Sequence, residues 1–147
     1  MNKETVINAL PHSEPFLFVD EIEFLSEMEV IGSYTFREDA YFYQGHFKDF
    51  PITPGVILIE CMAQIGPGCM AMYTLHNEGR KPKFGLFVSN VDIDFLKPVF
   101  PGEKVKVVAK RIYYRFDKVK CSVKMTNENE EVVARGTISG MLNLSKK

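Results

Sequence analysis

His46 and Glu60 are the side chains of this 147-residue chain best suited by type and surroundings to proton transfer. Glu60 lies in the most apolar stretch, Pro54-Gly55-Val56-Ile57-Leu58-Ile59-Glu60-Cys61-Met62-Ala63-Gln64-Ile65. An unpaired carboxylate buried there costs far more than one apolar contact returns, so it must neutralise or find a partner. Desolvation is expected to raise its pKa and leave it a proton to donate. His46, just upstream in Gly45-His46-Phe47, is the side-chain type most easily poised near neutrality and the commonest general base. A base and a protonated acid across one pocket suit an elimination, in which the base removes an acidified proton and the acid protonates the departing hydroxyl. Pro54-Gly55 opens the apolar stretch. A helix starting there presents free backbone N–H groups and its positive dipole end, which can hold a carbonyl oxygen as charge develops on it. Gln64 lies one turn beyond Glu60 on the same face. A bond to Glu60, a contact with substrate and a plain structural amide are all open to it. Taken alone, His46 in its loop fits a surface or hydrogen-bonded residue at least as well as a catalyst.

The elements that must position these groups follow from pattern and punctuation. The stretch from Pro54 is apolar on nearly all sides and predicts a buried helix, with Pro at its start. Gly66-Pro67-Gly68 is expected to kink or interrupt it, and Asn77-Glu78-Gly79 to end it. Thr5 to Leu10 predicts a short helix, followed by a loop from Pro11 to Pro15. Strands are expected over Phe16 to Leu25, Met28 to Phe36, Lys83 to Phe95, Glu103 to Tyr114, Arg115 to Thr126 and Glu131 to Leu144. The alternation is clearest at Val119, Cys121, Val123 and Met125. Arg37 to Pro54 reads as a long functional loop with a short helical turn. The whole is an α+β unit, one domain over residues 1–147, in which a sheet must wrap the helix to cover it. Its open edge or face favours a dimer.

Composition narrows the function. A net charge of −1 argues against nucleic acid as the main partner. No leader-like N-terminus and no membrane-length apolar run are read, so no membrane association is expected. Three cysteines without CxxC spacing argue against a disulfide framework or a zinc site and suit a reducing cytoplasm. His12 reads as a structural residue between two prolines, His76 as a surface residue, and Cys61 as a small apolar residue pointing away from Glu60.

Several segments, in order, are more specific: Leu10-Pro11-His12, Pro15-Phe16-Leu17-Phe18-Val19-Asp20, Gly45-His46-Phe47, Pro54 to Gln64, and Phe95-Leu96-Lys97-Pro98-Val99-Phe100-Pro101-Gly102-Glu103. Together they resemble the bacterial 3-hydroxyacyl-acyl carrier protein dehydratases of the FabZ type, over nearly the whole chain. The resemblance implies a hotdog fold, a curved antiparallel sheet around a long central helix. It implies a homodimer with active sites at the interface, extended in some members to a trimer of dimers, with no cofactor and no metal. It assigns His46 to removal of the α proton, Glu60 of the opposite subunit to protonation of the leaving hydroxyl, and the Gly55 amide to the thioester carbonyl. The product is a trans-2-enoyl thioester, in fatty-acid or related polyene or polyketide-like biosynthesis, and the partner an acyl carrier protein. Ser13-Glu14, Lys48-Asp49-Phe50, Thr53 and Gly66-Pro67-Gly68 depart from the family pattern. Met62, Phe84, Phe87 and Val88 are candidates for an acyl tunnel, with plain core packing as the alternative. Lys97 and Lys104, with Arg111 and Arg115, are candidates for carrier docking, against a solvated strand face. Two other readings are a hotdog acyl thioesterase and a non-catalytic partner subunit of an active dehydratase.

Overall fold

The apolar stretch around Glu60 forms a continuous helical segment of 23 residues, Gly55–Asn77, and a single sheet wraps around it. The computed structural model describes residues 1–81 and 86–142. A short helix α1 (Lys3–Ala9), capped by the Asn2 side chain, precedes strands β1 (Glu21–Leu25) and β2 (Glu29–Thr35). A 3-10 turn (Tyr41–Gln44) follows. The central segment comprises α2 (Gly55–Ala63), a π-helical turn (Gln64–Gly68) and α3 (Cys69–Asn77). Strands β3 (Leu86–Phe95), β4 (Lys104–Arg115), β5 (Lys118–Thr126) and β6 (Val132–Leu142) complete the elements of the described residues. All six strands pair antiparallel in the order β1-β2-β4-β5-β6-β3. This is the hotdog arrangement the resemblance implies. By length and composition the helical segment could cross a bilayer, but 78% of its most apolar window is buried, as in a core helix.

Gly66-Pro67-Gly68 does not break the helix. Pro67 lacks the N–H needed for an ordinary helical bond, and its ring would crowd the carbonyl of Ala63. The backbone widens into one π turn, in which the Cys69 N–H reaches the Gln64 carbonyl. A side chain at Gly66 would place Cβ 2.9 Å from Ala109 Cβ, so glycine allows the helix to lie directly on β4.

Phe16 to Asp20 is not strand. Its backbone groups are taken by the central helix: the Phe18 N–H donates to Gln64 Oε1 (2.8 Å), and Gln64 Nε2 donates to the Phe16 carbonyl (3.0 Å). Cys61 Sγ lies 3.4 Å from the Phe18 carbonyl. The turn between β4 and β5 falls at Phe116 and Asp117, with φ of 52° and 56°. These residue types give little sequence warning of such a turn.

Candidate active site

Glu60 projects from α2 into a cavity of about 250 Å³. Its polar end holds His12, Glu60 and Gln64, and its apolar walls include Pro67, Gly68, Leu86, Phe87, Val88 and Val119. His12 Nε2 lies 3.4 Å from Glu60 Oε2, and Gln64 Nε2 donates to the same oxygen at 2.9 Å. Gln64 is thus both structural amide and carboxylate partner: it is 1% exposed and fixed at its other end by Phe16 and Phe18.

Two expectations are corrected here. Within one chain the imidazole facing Glu60 is that of His12, a residue expected from the sequence to be structural between two prolines. Its position follows from the end of α1, where the buried C-cap residue Leu10 lies beside Gly68 and brings His12 to the cavity. The available signal was the rigid Leu10-Pro11-His12 triplet followed by Pro15. Second, the Glu60 carboxyl is held below its ordinary value of 4.5, not above it. Desolvation is the largest influence and pushes upward, but the His12 and Gln64 donors together outweigh it.

His46 is partly buried and does not line this cavity. Its Nδ1 lies 3.0 Å from the Ile52 carbonyl, while the Ile52 N–H returns a 2.9 Å bond to the His46 carbonyl. A carbonyl can only accept, so Nδ1 carries the hydrogen and Nε2 is the basic nitrogen of the neutral ring. The Phe47 ring stacks on the imidazole at 4.1 Å. Thr53 is explained locally: its hydroxyl pairs with that of Tyr43 at 2.6 Å, and both residues are buried.

At the start of α2, the Ile57 and Leu58 N–H groups bond to the Pro54 carbonyl, leaving the Gly55 and Val56 amides as helix-start donors among the described hydrogen bonds. A Cβ at Gly55 would stand 3.2 Å from the Phe95 ring, so glycine lets that ring close over the helix end. Phe87 and Val88 line the cavity, whereas Met62 is fully buried in the core and does not. Phe84 lies outside the described residues. Lys97 is paired with Glu131, and Lys104 is exposed at the start of β4.

A FabA-like domain matches residues 10–138. The chain belongs to the FabA-like family. Among its relatives, the 3-hydroxyacyl-[acyl-carrier-protein] dehydratase FabZ of Clostridium perfringens is 35% identical over 115 residues, covering 78% of this chain and 80% of that protein. The dehydratase FabZ of Syntrophobacter fumaroxidans is 33% identical over 146 residues, 99% of this chain and 97% of that one. Among solved structures, the dehydratase heterocomplex ApeI:P of Xenorhabdus doucetiae superposes with a TM-score of 0.79 at 15% identity, over 95% of this chain and 91% of the other. The protein smu.793 of Streptococcus mutans, bound to acetyl CoA, gives 0.65 at 18% identity, over 94% and 98%. At these identities the structural likeness speaks for the fold alone.

Proposed function

We propose that this chain is a dehydratase that converts 3-hydroxyacyl thioesters carried on an acyl carrier protein to trans-2-enoyl thioesters. The observation that carries the reading is Glu60: a carboxylate set in an otherwise apolar helix, clamped by two donors at the mouth of an apolar cavity, in a chain of the FabA-like family. His46 Nε2 removes the α proton, and the Gly55 amide meets the charge that develops on the thioester oxygen. Glu60, protonated once the site is closed, gives its proton to the β-hydroxyl, whose C–O bond breaks as the double bond forms and water leaves, while the α proton stays on His46 Nε2. Because both donors hold Glu60 as carboxylate in the single chain, its service as the acid needs the site to close over it and exclude water. The apolar cavity takes the acyl chain, with Phe87 and Val88 on its wall.

His46 is absent from the cavity lining, which supports a site shared between two subunits. The outer strand β3 carries the half-exposed Phe87 and Phe95, and Val56 stands out at the start of α2. These apolar positions suit a homodimer joined along that edge, with a trimer of dimers as its further assembly. Lys97 and Lys104 are proposed carrier-docking residues. The three cysteines are free and buried, in keeping with cytoplasmic residence.

The test is interconversion of 3-hydroxybutyryl and crotonyl thioesters, followed by enoyl absorbance. Activity is expected in the wild type, with His46→Ala and Glu60→Gln each lowering kcat by about 10²–10⁴-fold. Release of free thiol without enoyl product would support a thioesterase instead. Inactivity on both counts until a homologue is added would support the partner-subunit reading.

A further inference from the structure

The His12 ring has one nitrogen at Glu60 and one with no hydrogen-bond partner among the described residues. Nδ1 is buried and has no hydrogen-bond partner among the described residues, while Nε2 lies 3.4 Å from Glu60 Oε2. We infer that His12 is a neutral positioning residue, fixed as the Nε2–H tautomer, which with Gln64 clamps Glu60 Oε2 and leaves Oε1 to engage the substrate hydroxyl.

The tautomer follows from the two environments. A carboxylate oxygen calls for a donor, so the hydrogen belongs on Nε2. A second hydrogen on Nδ1 would bury an unpaired N–H, a heavier penalty than a bare lone pair in the same place. The ring is therefore a donor held without charge. It is the reverse of His46, whose Nδ1 carries the hydrogen and whose Nε2 is left basic. Two histidines with opposite tautomers fit two tasks: one removes a proton, the other orients the carboxylate across from it.

Orientation depends on both donors falling on one oxygen. Both of the contacts described for Glu60 go to Oε2. The Gln64 amide cannot turn without giving up its bonds to Phe16 and Phe18. Among the described residues, the walls of the cavity from β3, β5 and β6 bring no titratable side chain to this end. The nearby titratable groups are Cys61 on the same helix, its thiol pushed up chiefly by burial, and Asp20 ahead of β1. His46 of the partner subunit is the further group expected from the proposed dimer.

This inference rests on the dehydratase reading only for the role given to Glu60. Long-range ¹H–¹⁵N NMR of the ¹⁵N-histidine-labelled protein at neutral pH, with His12 assigned from the His12→Gln spectrum, reads the tautomer directly. A pyrrole-type Nε2 and a pyridine-type Nδ1 are expected; an Nδ1–H tautomer or an imidazolium would overturn the proposal. Carboxyl ¹³C titration of Glu60 should shift to higher pH in His12→Phe but much less in His12→Gln, whose amide nitrogen replaces Nε2 as a donor. Equal shifts in the two variants would also overturn it. Neither readout needs turnover, so both stand even if the protein proves inactive on hydroxyacyl thioesters. If it is active, His12→Phe should lose about ten- to a hundredfold in kcat with little change in KM, and the pH limb governed by Glu60 should move upward. His12→Gln should retain most of kcat. An unchanged kcat and limb in a folded His12→Phe would count against the positioning role.

Discussion

Glu60 reconciles two opposing demands. The apolar helix that carries it disfavours charge, while His12 and Gln64 supply the donors that keep the charge in place, and the donors prevail. A carboxyl whose folded pKa lies below its unfolded value stabilises the fold fully above the unfolded value, about 4.5, and loses that contribution as pH falls through the folded value. Urea unfolding of wild type and Glu60→Gln at a series of pH values should therefore show the difference between them shifting against the wild type as the solution is acidified through this range. A difference constant with pH would mean that the donors do not hold the carboxylate. That Glu60 has a special environment was legible in the sequence, because a lone acid in an apolar run is visible there. The direction of its shift was not. It depends on His12, forty-eight positions upstream, and on which face of a loop the imidazole occupies.

At the scale of elements, the central helix and the later strands follow from periodicity and punctuation. Two features do not. Phe16 to Asp20 has the composition of a strand, yet its backbone is claimed by Gln64 and Cys61, a contact between side chain and backbone that no local pattern encodes. Gly66-Pro67-Gly68 looks like a break, yet a π turn absorbs the proline and the flanking glycines fit against neighbouring elements. Gly66→Ala sets a Cβ 2.9 Å from Ala109 Cβ, and we expect a loss of about 1–3 kcal/mol in unfolding free energy by chemical denaturation. Gly45→Ala meets nothing within 4 Å and should change stability by less than about 0.5 kcal/mol. Equal costs at the two sites would contradict the close helix-to-sheet contact assigned to Gly66.

At the scale of the whole molecule, one chain holds the clamped Glu60, a cavity and a helix end, while His46, the proposed base, lies on a loop outside that cavity. The fold explains the separation: His46 precedes the central helix on a loop closed by its own bonds to Ile52, whereas Glu60 lies within the helix and faces the cavity beside His12. Pairing along the exposed edge strand is the step that would complete the site. Co-expression of His46→Ala and Glu60→Gln chains, each inactive alone, tests this most directly. In a heterodimer of the two, one site receives His46 from the Glu60→Gln chain and Glu60 from the His46→Ala chain, while the other site lacks both. Random pairing makes half the dimers mixed, so the co-expressed protein should regain about a quarter of wild-type dehydratase activity. Activity no greater than that of the single variants, in a preparation shown by mass spectrometry to contain the mixed dimer, would contradict a site shared between subunits.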